Sequence, residues 1–402
     1  MMHWFTKLAC STSVAIFIAQ PAHAIDGATL VAGLRAQAAI SGAMLDVGKI
    51  EETGPDSFRL SDIEIAGKGM AKPLQVKSVE ANGVREISGK SIVIDSLKFG
   101  GISLDGKTDK GEDFFVTIDG GEGTNLYFPD PNDIDAPFLP SKTVSYRIGR
   151  MTMNVSGSEV VSVSGAEVVT EKATDRNEFS TEMSVSEVAI DLSQVKDAKA
   201  KAQIQALGLE TLKIAIRLDG SFNLDTGRME LKEYSFDTTN VGKLNMTLAI
   251  DGYDMALVRK IRETSLAASK AGRNDPEAQK AAAAQLMGVL AELKLAGATV
   301  SFDDQSIVSR VLDIQAAAMG VTREELAQMA PVMAMGMTQA LDNPEFSAMV
   351  GEALAKFGSN PKSLTITIAP AEPVAFAQIV GTAIAGPPAL LGLLGVTVKA
   401  NE

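Results

Sequence analysis

The chain has 402 residues, of which 46% are hydrophobic and 22% charged, a globular composition that suits one to three domains. Its formal charge of −13 argues against nucleic acid as a partner and against electrostatic docking on anionic lipid. Both histidines, the cysteine and the tryptophan (His3, His23, Cys10 and Trp4) lie in the first 24 residues, so whatever those residues are decides how much chemistry remains.

Residues 1–24 read as a signal peptide. Met1–Lys7 is a short basic n-region, Leu8–Ala19 an apolar h-region, and Gln20-Pro21 breaks that run before the small-residue site Ala22-His23-Ala24. The pattern predicts cleavage after Ala24, a mature start at Ile25 and a periplasmic or secreted protein. Leu8–Ala19 is too short to span a bilayer, which takes about 20 apolar residues. Cys10 precedes the end of the apolar run, and Lys7 stands where a lipobox needs an aliphatic residue, so a lipoprotein anchor is rejected. The mature chain then has no disulfide, no Ser-His-Asp or Cys-His centre and no His/Cys zinc site. A large cysteine-free exported chain suits the bacterial periplasm.

Along the mature chain, Ile25–Met44 reads as an Ala-rich helix with Leu30, Leu34 and Ala38 on one face. From Leu45 the period becomes two. Strands are predicted at Phe58–Ile65, Leu74–Ala81, Ser91–Phe99, Phe114–Ile118, Val144–Val155, Val160–Val169 and Phe179–Leu192. In the last, Met183 and Val185 give way to Val188, Ile190 and Leu192, which predicts a bulge. Within Thr211–Asp251 the alternation is cleanest: Leu212, Ile214, Ile216 and Leu218, then Leu244, Met246, Leu248 and Ile250, placed on one buried face. Asp219-Gly220 and Asp225-Thr226-Gly227-Arg228 read as its turns, giving an antiparallel meander.

Beyond Gly252 the period is helical. Helices are predicted at Met255–Lys270, Pro276–Leu295, Ser306–Met319, Thr322–Leu341 and Pro344–Phe357. Asp275-Pro276 reads as an N-cap and N1 pair, and Thr322–Glu325 as a capping box. Strands at Ala298–Phe302, Ser363–Ala369 and Val396–Lys399 are expected to rejoin the sheet. The fold class is α+β: an extended, curved antiparallel meander followed by a helical C-terminal region. The organisation is 1–24 signal peptide, 25–252 N-terminal helix and β-rich region, and 253–402 helix-rich region packed on the sheet.

Few motifs carry chemistry. Nucleotide-binding glycine loops are absent. Ser193–Lys196 and Ser359–Lys362 match S-x-x-K, but the S-D-N and K-T-G companions of a Ser-Lys hydrolase are missing, so both read as chance. Asp130–Asp135 gathers oxygen ligands, yet Ile134 and a missing Gly break calcium-loop spacing, and a Pro-stiffened surface turn is the plainer reading. Met329, Met333 and Met337, with Met335, could hold Cu(I) but read as a packed helix face. Val374–Val398 carries no charge; Pro387-Pro388 splits it, so it reads as two short buried helices, or one helix and an apolar loop, rather than a span. No cofactor and no metal site is predicted.

The passage "LGLETLKIAIRLDGSFNLDTGRMELKEYSFDTTNVGKLNMTLAIDGYD" and the short strands with Asp-Gly turns behind a signal segment resemble bacterial envelope proteins of the AsmA-like and YdgA-like kind, over roughly Leu45 to Asp251. That resemblance implies long, curved sheets with an apolar concave face and, in some members, lipid movement between membranes. Three readings follow. A non-enzymatic envelope protein would hold a lipid-like chain in an apolar sheet groove, with Leu390 and Leu394 as ligand contacts. A scaffold or assembly factor would bind envelope proteins through its Ala/Met-rich helices. A carboxylate-dependent hydrolase would need two facing acids, about 5–9.5 Å apart.

Overall fold

The computed structural model describes residues 23–40, 42–67, 70, 72–87, 91–130, 143–173, 176–270 and 276–402. The chain is an α+β protein built on a long antiparallel meander, and most of its helices lie in the C-terminal part. It divides into two compact units. The first takes Met1–Glu159, Ser164–Arg176 and Arg262–Ala282; the second takes Val160–Val163, Asn177–Ile261 and Ala283–Glu402.

In the first unit, β1 (His23–Ala24) leads into α1 (Gly27–Ile40), whose first turn is capped by the Asp26 carboxylate accepting from the Thr29 N–H at 2.7 Å. Then come β2 (Ala43–Gly54), β3 (Ser57–Gly67), β4 (Leu74–Asn82), β5 (Arg85–Ile87), β6 (Ser91–Phe99), β7 (Ile102–Lys107), β8 (Asp113–Ile118), β9 (Gly121–Phe128), β10 (Thr143–Ile148), β11 (Met151–Val155) and β12 (Ser158–Lys172). β2, β3 and β4 pair in sequence; β4 then pairs with both β6 and β7. One branch continues β6–β9–β10–β12, the other β7–β8–β11. α1 lies over β2–β4, where Val31 joins Leu60, Ile63 and Val76 in a buried cluster with Leu34, Leu45 and Val47 packed against it. Ser91 is fully buried, and its hydroxyl oxygen accepts from Tyr127 at 3.3 Å and from the Asp130 N–H at 3.0 Å. That pair satisfies a polar group the core would otherwise penalise.

The second unit holds β13 (Glu178–Asp191), α2 (Ala198–Leu207), β14 (Thr211–Asn223), β15 (Arg228–Thr238) and β16 (Gly242–Asp251). α3 (Met255–Lys270) and α4 (Pro276–Leu290), which straddle the boundary, precede β17 (Lys294–Asp304). α5 (Ile307–Met319), α6 (Arg323–Gln328), α7 (Ala330–Thr338) and α8 (Pro344–Ser359) come before β18 (Ser363–Ile368) and the short β19 (Val374–Ala375). α9 (Phe376–Ala385), α10 (Pro387–Leu394) and β20 (Val396–Ala400) end the chain. β13 to β18 pair in order, and β20 closes on β18, all antiparallel. The helices are therefore insertions between neighbouring strands, and the C-terminal strands rejoin the sheet as the sequence predicts.

Several local expectations change. Asp219-Gly220 is no turn: β14 runs through it, and the register shifts there as a bulge. The other predicted turn, at Asp225–Arg228, is the hairpin: the Asn223 side-chain oxygen accepts from the Asp225 and Thr226 N–H groups at 3.0 and 3.1 Å and Gly227 takes φ 73°. Asx-turn chemistry and a left-handed glycine outcompete the Asp-Gly dipeptide. Val144–Val155 is two strands, β10 and β11. The predicted bulge in β13 falls between Val185 and Val188. Thr322–Leu341 is broken into α6, α7 and a 3₁₀ turn, with a proline in the first turn of α7; its capping box is complete, Glu325 N–H to Thr322 Oγ1 at 3.1 Å and Thr322 N–H to Glu325 Oε2 at 2.7 Å. Asp275, the expected partner of Pro276, lies outside the described residues, as do residues 1–22.

Candidate functional site

The second unit's sheet has two chemically distinct faces, fixed by register. One cross-strand row reads Met183, Leu218, Tyr234, Met246, Val300, Ile366 and Val398 from β13 to β20. The next row on that face holds Val185, Ile216, Phe236, Leu244, Phe302, Leu364 and Ala400. The opposite face carries polar rows, such as Thr247, Thr299, Thr367 and Thr397.

Helices cover the apolar face at two places. Ala353 and Phe357 of α8 bury Val398 and Ala400, with Phe302, Leu364, Phe346, Met349 and Val350 packed around them. The Val398 N–H even points at Met349 Sδ, 3.1 Å away. At the far end of the strands Ile250, Leu257 and Leu293 form a second cluster, flanked by Leu248, Tyr253, Ile261 and Phe376. Between the two clusters Val300 and Ile366 of the first row stay open, each 42% exposed, while Met183, Leu218, Tyr234 and Met246 of that row are half-buried. Of the eight residues assigned to a buried face from the alternation, Ile250 is buried and the others are half-buried. The alternation is correct, but the helices do not extend over the middle of the sheet.

α9 and α10 link β19 to β20, and Phe376 at the start of α9 packs in the Ile250 cluster. The charge-free Val374–Val398 segment folds into two helices between β19 and β20, with Phe376 N–H bonded to the Leu293 carbonyl at 2.9 Å. These helices are not buried throughout, as the sequence reading has them: Val380 is 60% and Ile384 82% exposed. Leu394 is buried in the last turn of α10, while Leu390, one turn earlier, is half-buried. The two proposed ligand contacts thus occupy different environments.

The methionine group also differs from expectation. Met329, Met333 and Met335 are exposed rather than packed, and the Met337 side chain lies outside the described residues. Ala334 and Thr338, offset on the helix, take the packed face of α7 instead, and the Thr338 hydroxyl bonds the Ala334 carbonyl at 2.7 Å. Beside α7 runs a cavity of ≈ 590 Å³ between α7 and α8, lined by Pro331, Met335, Asp342, Pro344, Ala348 and Glu352 among others. Apolar side chains elsewhere on the helices, such as Met287, Val311 and Ile314, are likewise exposed. Helical spacing alone does not reveal this, because a buried stripe and a displayed one look the same in sequence.

A family model described as "Uncharacterized protein" matches residues 235–401, which contain Val300, Ile366 and the helices α3 to α10. No curated protein sequence matches the chain.

The remaining candidates are dispersed. Ser193 accepts from Gln194 Nε2, and Ser359 donates to the Lys356 carbonyl, so each hydroxyl is engaged locally. Residues 131–135 of the acidic Asp130 loop lie outside the described residues. Among the described residues no group of three or more Asp, Glu, His or Cys converges as a metal site. Glu233 is held below the usual carboxylate range by hydrogen bonds from Ser235 and Lys243, and Glu352 by Lys356. A general acid needs the opposite shift. Among the described residues no helix is long and apolar enough to cross a membrane.

Proposed function

We propose that the protein is a non-enzymatic, exported envelope protein that holds a lipid-like apolar chain along the open rows of the second unit's sheet. The observation that carries this reading is the exposure of Val300 and Ile366, 42% each, on a face whose neighbours are covered by α8 at one end and by the Ile250 cluster at the other. Leaving such side chains in water forgoes about 25 cal/mol per Å². An acyl chain laid across the rows recovers that stabilisation without any charged contact. In this reading the uncharged α9–α10 segment, which starts in the Ile250 cluster and returns to the sheet at β20, supplies further apolar wall. Leu390 is a contact on that wall. The resemblance to AsmA-like and YdgA-like proteins is in keeping with a lipid ligand.

The test is a titration of the purified mature chain with a fluorescent fatty acid, alongside lipid extraction and native mass spectrometry. Saturable uptake is expected. Ile366→Glu should weaken it by about tenfold, since the charge must be desolvated under the chain, while the melting temperature stays within a few degrees because the site is open. Unchanged uptake in Ile366→Glu, or no uptake by the parent, overturns the reading.

Export rests on the Ala22-His23-Ala24 pattern. N-terminal sequencing of protein from its host should read Ile-Asp-Gly-Ala; an intact Met1 in the membrane fraction counts against a cleaved signal.

The exposed α5 and α7 side chains favour a second reading, in which the helices dock another protein.

A further inference from the structure

The cavity between α7 and α8 has a shape and a charge pattern of its own. Its lining repeats every three or four residues on both helices: Pro331, Met335 and Gln339 on the α7 side, Pro344, Ala348 and Glu352 on the α8 side. It therefore follows the i±4 ridges of two packed helices, the geometry that accepts a third helix. Its floor is made of small residues, Ser347, Ala348 and Gly351. The two helices approach closely there, since a Cβ on Gly351 would stand 3.1 Å from Pro331 Cα. Met335 is 55% and Val332, on the same helical stripe, 66% exposed. Methionine offers a polarizable, re-packable surface to apolar side chains.

The rim decides what fits. From Glu324 to Ala355 the chain has five carboxylates (Glu324, Glu325, Asp342, Glu345 and Glu352) and no Lys, Arg or His. Asp342 and Glu352 line the cavity itself. The flanking cations are already engaged: Arg323 pairs with Asp313 at 2.5 Å and Lys356 with Glu352 at 2.8 Å. The Glu352–Lys356 pair is solvent-exposed and contributes little, which leaves Glu352 open to exchange Lys356 for another cation. An anionic lipid headgroup would be repelled by this rim; a cationic one-sided helix would be complemented on both its faces.

We propose that the α7–α8 groove is a docking site for a basic amphipathic helix of another protein. Its apolar stripe seats on Met335, Val332, Pro331 and Ala348, and its Lys or Arg residues meet Asp342, Glu345 and Glu352. This site is separate from the open strip of the sheet.

The experiment titrates the full mature chain with a labelled amphipathic Leu/Lys helical peptide and, in parallel, with a Leu/Glu peptide carrying the same apolar stripe. The Leu/Lys peptide should bind in the micromolar range and weaken as salt rises, and the Leu/Glu peptide should not bind. Met335→Lys, and the pair Asp342→Asn with Glu352→Gln, should each weaken binding by about tenfold. Both sets alter exposed positions, and asparagine suits the left-handed φ of 44° at Asp342. Neutralising two acids elsewhere, Glu51→Gln with Glu52→Gln on β2, should leave affinity within twofold and so separates groove binding from general attraction to an acidic protein. Equal loss in that control, no loss in the groove variants, equal binding of the Leu/Glu peptide, or capture of phosphatidylglycerol vesicles blocked by the groove variants would each overturn the proposal. Fatty-acid uptake measured on the same variants should be unchanged, so the outcome here is independent of the ligand of the sheet.

Discussion

Phe179→Ala is expected to destabilise the second unit by about 3–5 kcal/mol, the range for emptying a buried aromatic site. Phe179 is 1% exposed and stacks on Phe222, its cross-strand partner in β14, with ring centroids 4.7 Å apart and planes 16° from parallel. Phe222 in turn meets Tyr253 edge-on at 6.4 Å. Leu224, 2% exposed, sits directly after β14 and its N–H bonds the Asn177 carbonyl at 2.8 Å. Asn177 is itself held by the Asp225 carboxylate, with its side-chain amide 2.6 Å from Oδ1. Truncating Phe179 therefore leaves a void whose walls are fixed by strand pairing and a hydrogen-bonded turn, which limits relaxation. Chemical denaturation should show the loss as a lower midpoint with little change in slope. Phe115→Ala serves as the control: Phe115 is 46% exposed, and its loss should cost under about 1 kcal/mol. Similar midpoints for the two variants would contradict the packing described.

How much of this was legible depends on what each signal measures. Alternation reports a two-faced strand whichever neighbour covers it, so β3, β4, β6, β8 and the β13–β16 meander are visible in sequence. β9 hides behind Gly121 and Gly123, and β7 behind Asp105-Gly106, which looks like a turn but lies in mid-ladder opposite Phe115 and Phe114. There the Phe114 ring occupies the space a Cβ on Gly106 would need. The glycine makes room for a cross-strand aromatic rather than for a turn. β2 is obscured by its charges, Asp46, Lys49, Glu51 and Glu52, which suit a strand that pairs on one edge with β3. The candidate site was less legible than the fold. Which apolar rows stay open depends on where α8 and α9 land, and that is set by insertions between β17, β18 and β20 rather than by any local pattern. The methionines of α7 fail for the same reason: periodicity defines a face, and tertiary structure decides whether the face is covered.

Leu394 and Leu390 separate core from ligand wall most sharply. Leu394 is 8% exposed at the end of α10; the next residue, Gly395, caps the helix with φ 57°, and the Leu394 carbonyl accepts from the Ala369 N–H at 3.0 Å. A glutamate there has no cation within the uncharged Val374–Val398 segment to pair with. Leu394→Glu should therefore cost several kcal/mol at neutral pH, on the order of 3–5, as an uncompensated buried charge does. Burial would raise the folded-state pKa of the new carboxyl above its unfolded value of about 4.3. The deficit should then be smallest below the unfolded pKa, where both states are protonated, and grow as pH rises through the folded pKa. Leu390→Glu is expected to behave differently. Half-buried one turn earlier, its carboxylate can reach water, so the melting temperature should fall only slightly while uptake of the fluorescent fatty acid weakens. Melting curves of both variants at pH 4 and pH 7, read beside uptake, distinguish the roles: a pH-independent loss at Leu394→Glu would mean the site is wetter than its burial implies, and full uptake by Leu390→Glu would remove Leu390 from the ligand wall.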